Sequence, residues 1–145
     1  MIDEANLQRV GIHCLILNSR KQYLVLKRSA DDDHDPKHWD LPGGGIGQHE
    51  GISEGLKREV IEETGLSIKD INLIGAYTCD EGRLQLSALA YLESGQVRLS
   101  DEHSEYKWID HSQLIKIDPA GLHLVAAKCF IEGGEKVTTY EELTK

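Results

Sequence analysis

"GLKREVIEETG" spans Gly55 to Gly65 and places Glu59, Glu62 and Glu63 within one short, highly charged stretch. On a helix, like charges three or four residues apart repel by a few tenths of a kcal/mol per pair. The stretch nevertheless reads as a helix over Gly51–Thr64. Ile52, Leu56 and Val60 recur at i, i+4 and i+8 as one apolar stripe, and Gly65 is a C-terminal stop. Glu59, Glu62 and Glu63 then share the neighbouring face, with Arg58 one turn before Glu62. Three carboxylates on one edge form a cluster of hard oxygen ligands suited to Mg²⁺ or Mn²⁺. A solvated acidic face has the same pattern, and the helix alone does not separate the two.

The flanking chain frames the helix with strands. "RVGIHCLILN" (Arg9–Asn18) and "YLVLKRS" (Tyr23–Ser29) read as a β-hairpin joined by a polar turn. "ADDDHDPKHWDLPGGGIGQHE" reads as a long loop leading into the helix. "INLIGAYTC", "RLQLSALAYLE" and "EYKWID" read as further strands, and "HSQLI" as a short helix. "DPAGLHLVAAKCFIEGG" reads as a second helix with Pro119 at an early position and Gly133 beyond its end. The tail admits a short helix from Thr139, with Glu142 as capping partner, or disorder. This order implies one domain over 1–145 of the α/β class, a mixed β-sheet flanked by helices.

Composition narrows the function. The 145 residues carry a formal net charge of −9, which argues against a nucleic acid polymer as partner. A small anionic substrate remains compatible if metal ions neutralise the site. Cys14, Cys79 and Cys129 are widely spaced and suit small apolar packing in a reducing compartment. "MIDEANLQRV" has neither a basic start nor a long apolar run, and no stretch suits a membrane span, so a cytoplasmic protein is the expectation.

The flanks of the helix give the decisive pattern. From Gly44, five residues lead to Glu50, and seven more to Arg58-Glu59-Val60-Ile61-Glu62-Glu63-Thr64-Gly65-Leu66. This resembles the Nudix box, G-x5-E-x7-R-E-U-x-E-E-x-G-U with U a bulky apolar residue, and every defined position matches. "WDLPGG" upstream is also similar to family wording. Inside the variable positions, Gly55 stands where Ala is frequent, a change that costs up to about 1 kcal/mol in a helix interior.

The resemblance implies a Nudix-type α/β/α sandwich and a MutT-like hydrolase. Its substrate would be a nucleoside diphosphate linked to another moiety, attacked by water with Mg²⁺ or Mn²⁺ as cofactor. It assigns Glu59, Glu62 and Glu63 to the metals, joined by a backbone carbonyl of Gly43 or Gly44. Arg58 and Glu50 become orienting partners. Glu102, six residues before Trp108, is the first candidate for a distal carboxylate, and Glu105 the second. The general base is Glu62 first, or Glu102.

Arg28 sits like a family arginine that contacts substrate phosphate. Trp39 has two readings, stacking on a base or packing the loop. Asp31–Asp35 read as an exposed acidic loop, with a further metal as the alternative. His49, His103 and His123 read as surface or site-rim residues. The layout favours a nucleoside triphosphate. Gly82 stands where some ADP-ribose hydrolases of the family carry Pro, and no Asn lies over Gly121–His123, where the base-reading Asn of the MutT type falls. An inactive nucleotide sensor on the same fold is the alternative function, with an isopentenyl diphosphate isomerase behind it. A homodimer stays open.

Overall fold

The structure is a computed structural model that describes residues 10–30, 37–79, 82–133, 137–138 and 140–143. Its elements follow in the order β1 (Gly11–Leu17), β2 (Tyr23–Arg28), β3 (Trp39–Asp40), β4 (Gly43–Gly45), α1 (Ile52–Thr64), β5 (Ser67–Thr78), β6 (Leu84–Ser94), β7 (His103–Ile109), α2 (His111–Lys116), α3 (Leu122–Ile131), β8 (Val137–Thr138) and α4 (Tyr140–Leu143). The strands form one mixed sheet in the order β3-β2-β1-β6-β5-β8, with β4 paired to β1 and β7 to β2. β1 and β6 run parallel; β5 and β6 run antiparallel.

Side chains alternate along a strand, so each strand feeds two layers. Ile12, Cys14 and Ile16 of β1, with Leu24 and Leu26 of β2, pack toward Leu56 and Val60 of α1. Leu15 and Val25, on the opposite face, pack with Leu114 of α2 and with Leu124 and Ala127 of α3. This is the α/β/α sandwich expected for a sheet buried on both sides. Among the described residues, no helix is long and apolar enough to cross a membrane.

The helix limits follow local chemistry. α1 ends where Gly65 turns left-handed at φ 74° and donates its N–H to Ile61 O. Thr64 donates its hydroxyl to Val60 O at 2.6 Å and accepts from Leu66 N–H at 3.2 Å, which seals the last turn. α2 carries a capping box: Asp110 accepts from Gln113 N–H, and the Gln113 side chain accepts from Asp110 N–H.

Three expectations change. The apolar stripe of α1 begins at Leu56, because Ile52 is 43% exposed. Pro119 lies outside α3, whose N-cap is Gly121; the Pro119 carbonyl accepts from Trp39 N–H instead. The long loop contains β3 and β4. Gly55 follows from packing, since a Cβ there would stand 3.0 Å from Glu50 Oε1 and 3.2 Å from Ile46. All three cysteines are free, Cys14 and Cys79 buried. Asp31–Asp35 and Thr139 lie outside the described residues.

At Gly75 of β5, α3 comes close to the sheet. A Cβ there would lie 2.5 Å from the ring of Phe130, itself fully buried. Gly75→Ala is therefore expected to destabilise the fold by about 1–3 kcal/mol through overpacking. Urea denaturation checks it: the midpoint falls while the slope stays that of the wild type.

Candidate active site

β4 brings bare backbone against the acidic face of α1. Gly44 pairs with Ile12 and faces the helix, so a Cβ at Gly44 would lie 2.5 Å from the Glu59 carboxylate. Gly43 pairs with His13 and donates its N–H to Glu63 Oε2 at 3.2 Å. A Cβ at Gly43 would strike Ile12 O at 2.0 Å. The glycine run therefore answers a steric demand: backbone and carboxylate meet where no side chain fits.

Arg58 organises the surrounding charge. Its Nε donates to Glu50 Oε2 at 2.6 Å and its Nη2 to Glu50 Oε1 at 3.0 Å, a bidentate pair. Nη2 also donates to Gly45 O at 3.0 Å, while Nη1 donates to Glu59 at 3.1 Å and to Glu62 at 3.2 Å. Glu50 accepts in turn from Gly47 N–H at 2.8 Å. One guanidinium thus ties the glycine loop to the helix and aims two carboxylates.

The carboxylates are unevenly supported. Glu63 is buried, and burial pushes its carboxyl up to about 8; the Gly43 N–H opposes this, while Glu102 and Glu59 add to it. Glu59 is also raised, first by burial, against the pull of Arg58. Glu62 is more exposed and pairs with Arg58 at 3.2 Å. Glu102 is exposed but within electrostatic reach of Glu59 and Glu63. Its segment is pinned beside β2: Ser29 N–H donates to Glu102 O at 3.0 Å and the Ser29 hydroxyl to Asp101 O at 2.8 Å. Glu105 is engaged elsewhere, paired with Lys27 at 3.2 Å. Among the described residues, no three His, Cys, Asp or Glu side chains converge on one cation position, because Glu59 and Glu62 turn to Arg58.

Arg28 is mostly buried, 3.8 Å from Asp40 and within electrostatic reach of Glu63, His13 and His123. Trp39 is a correction to the base-stacking reading. Its ring belongs to the core beneath α3, 7% exposed, with Lys107 Nζ 4.8 Å and Lys27 Nζ 5.6 Å from its centroid. His103 and His123 are corrections too. His103 is buried, and His123 stacks on His13 with ring centroids 3.4 Å apart and planes 7° from parallel. The Tyr77 hydroxyl is hydrogen-bonded to His123 Nδ1.

Both stacked rings are held neutral. Burial first, then His123, Arg28 and His103, keeps His13 well below the usual histidine range. Burial, then Arg28 and Arg83, lowers His123 to about 3. Asp40 stands at the start of α3, its Oδ1 accepting from Leu124 N–H at 2.8 Å and Leu41 N–H at 3.0 Å. It supplies the cap that Gly121 lacks, and a Cβ at Gly121 would strike it at 2.3 Å. Sequence reasoning missed His13, Tyr77, Gln85 and Ser87. The one local signal was polar residues interrupting otherwise apolar strands.

A family model described as the NUDIX domain matches residues 7–129. The nucleoside triphosphatase NudI of Escherichia coli is 29% identical over 121 residues, covering 74% of this chain and 86% of the relative. A MutT protein from Methanosarcina mazei has a similar structure, with TM-score 0.69 and 27% identity, covering 86% of this chain and 90% of that one. The NUDIX domain of Shewanella oneidensis NrtR, solved with ADP ribose, shares the fold at TM-score 0.71 and 17% identity, covering 90% and 92%.

Raising the carboxyl of Glu63 has a defined sign. A group whose folded pKa lies above its unfolded value contributes stability at low pH and loses it as pH rises through the folded value. The metal-free protein is therefore expected to lose stability relative to Glu63→Gln between about pH 5 and pH 9, by on the order of 2 kcal/mol or more. Thermal melts in chelator across that range check it. Mg²⁺ is expected to restore the wild type more at pH 9 than at pH 6.

Proposed function

The chain belongs to the Nudix family, and from that premise we propose that it is a metal-dependent pyrophosphohydrolase of nucleotides, most plainly of a nucleoside triphosphate. The observation that carries the reading is the meeting of Glu59 and Glu63 with the bare backbone of Gly43 and Gly44. Burial beside Glu102 and Glu59 raises the Glu63 carboxyl, and a divalent cation would offset that cost. The nucleoside triphosphatase relative supports a triphosphate substrate. An inactive sensor is the weaker reading, because every acidic position of the box is present and held.

The residues present fit Mg²⁺ or Mn²⁺. Glu59, Glu62 and Glu63 would hold the ions, with a carbonyl of Gly43 or Gly44 and the carboxylate of Glu102. When bound, such ions neutralise pyrophosphate charge and acidify a coordinated water. Glu62, or Glu102, accepts the proton of the attacking water. Arg58 keeps Glu59 and Glu62 aimed before substrate arrives. Arg28, within electrostatic reach of Glu63, binds a phosphate oxygen.

A screen of nucleotide substrates with Mg²⁺ and with Mn²⁺, following phosphate and pyrophosphate release, tests the proposal. Turnover without any divalent ion, or on no nucleotide at all, sinks it. Glu62→Gln and Glu63→Gln are each expected to lower turnover at least about a hundredfold while the fold is retained.

Glu102 and Glu105 separate in a paired assay. Glu102→Gln is expected to cost about tenfold or more, since its carboxylate acts on the assembled site. Glu105→Gln is expected to cost little, because removing an exposed ion pair with Lys27 changes energies by about 1 kcal/mol at most. Steady-state kinetics of both variants on one substrate gives the answer. Equal, negligible losses would confine the ligands and base to α1.

A further inference from the structure

β7 is an open edge of the sheet. Among the described residues it pairs with β2 alone, and no strand lies on its other side. The direction of its free backbone groups follows from β2. Asn18 N–H donates to Gln22 O and Arg28 N–H to His38 O, so the even-numbered residues along this stretch turn their backbone toward β1 and β3. Tyr23, Val25 and Lys27 turn theirs toward β7, in register with Ile109, Lys107 and Glu105. Alternation then leaves the N–H and C=O of Tyr106 and Trp108 pointing away from the sheet.

The side chains of this edge carry a pattern. Tyr106, in register with Leu26, is 46% exposed on the α1 face. Glu105 and Lys107 stand on the opposite face. Glu105 reaches Lys27 at 3.2 Å, and Lys107 Nζ lies 4.8 Å from the Trp39 ring centroid. Among the described residues, Lys107 has no acidic partner. Open edges are commonly closed to other chains by a lysine or a bulge. β7 has both, since the shift between Lys27 and Arg28 leaves Ser104 without a partner in register. These devices repel an apolar strand. They do not repel a strand that brings a carboxylate to Lys107.

A second copy of β7 is such a strand. Two copies related by a two-fold axis run antiparallel. With Tyr106 opposite Tyr106, the outward N–H and C=O groups of the two residues exchange both bonds. Glu105 of each copy then stands directly opposite Lys107 of the other, and such cross-strand pairs of opposite charge stabilise a sheet. Sliding the register by two residues sets Glu105 against Glu105, or Lys107 against Lys107. A slip of one residue matches an outward backbone group with an inward one. Charge therefore selects a single register, and the bulge at Ser104 keeps the paired stretch short.

We propose that β7 is a self-recognition edge, on which a second copy of this chain docks antiparallel about Tyr106 and continues the sheet across a two-fold dimer. Interfaces under about 1,200 Å² belong to weak, transient association, and a pairing this short falls in that class. The edge uses none of the carboxylates of α1, so the dimer and the hydrolysis stand or fall separately.

Sedimentation equilibrium of the full chain from about 10 µM to about 1 mM reads the mass across the range of a weak dimer. The mass is expected to rise toward two chains and to stop there, because a two-fold pairing occupies the edge. Glu105→Lys and Lys107→Glu are each expected to weaken the dimer at least about tenfold, since each sets like charges opposite one another. Mixed in equal amounts, the two variants bring Lys against Glu at both positions, and they are expected to pair as tightly as the wild type. Amide exchange gives a check free of substitution. The Tyr106 N–H is expected to exchange more slowly as concentration rises, while the Lys107 N–H, already bonded to β2, holds constant.

A chain still monomeric at the highest concentration overturns the proposal and leaves the edge to an extended strand of another protein. A dimer that both single variants retain overturns it too, as does a mixture that stays monomeric where the wild type dimerises. So does exchange at Tyr106 that ignores concentration.

Discussion

The hydrogen bond from Gly43 N–H to Glu63 is where helix, sheet and chemistry meet. It forms only because β4 is almost bare backbone at that point. Any side chain at Gly43 would collide with Ile12 O, and any at Gly44 with the Glu59 carboxylate. The demand propagates outward. β4 must pair with β1 to hold its place, so β1 gives its Gly11–His13 end to β4 and only Leu17 to β2. The glycine loop must then enter α1 at a fixed angle, which Arg58 secures through Glu50 and Gly45.

Charge in this arrangement is deliberately unbalanced. One guanidinium serves Glu50, Glu59 and Glu62, while Glu63 has only a backbone donor for its buried carboxylate. A protein selected only for stability would place a neutral side chain at Glu63. Burial and like charge raise the carboxyl of Glu63, a displacement of the kind that catalytic groups generally show. Arg58 bridges Glu59 and Glu62 and so offsets part of their mutual repulsion.

The acidic half of this site was legible in the sequence because it is local. Glu59, Glu62, Glu63, Arg58 and Gly65 fall within one helix and its stop, where 3.6-residue periodicity fixes which side chains are neighbours. The sandwich class followed from strand and helix order. What was not legible depends on long-range pairing. β3 and β4 are too short to carry a pattern of their own; β4 exists because Gly43–Gly45 meet Gly11–His13. Ile52 looked apolar in the right period yet lies beyond the edge of the core. Pro119 looked like a helix start, but its carbonyl is used by Trp39 and the helix begins at Gly121. Trp39 offered two readings, and only the packing around Leu114 and Leu124 chose between them.

The two faces of the sheet therefore answer to different constraints. The α1 face is a continuous apolar core from Ile12 to Ile68, broken only where the carboxylates reach its edge. Its identity is tied to the box, since shifting Leu56 or Val60 would move Glu59 and Glu63 off β4. The polar part of the α3 face draws on residues far apart in the chain. His13, Ser87, Gln85 and Tyr77 come from three strands, and His123 from a helix capped by Asp40. Of these, His13 lies against Gly43 and so borders the Gly43–Glu63 contact. The edge where α1 meets β4 is fixed by steric contact, whereas the opposite face is assembled from strands and a helix far apart in the chain.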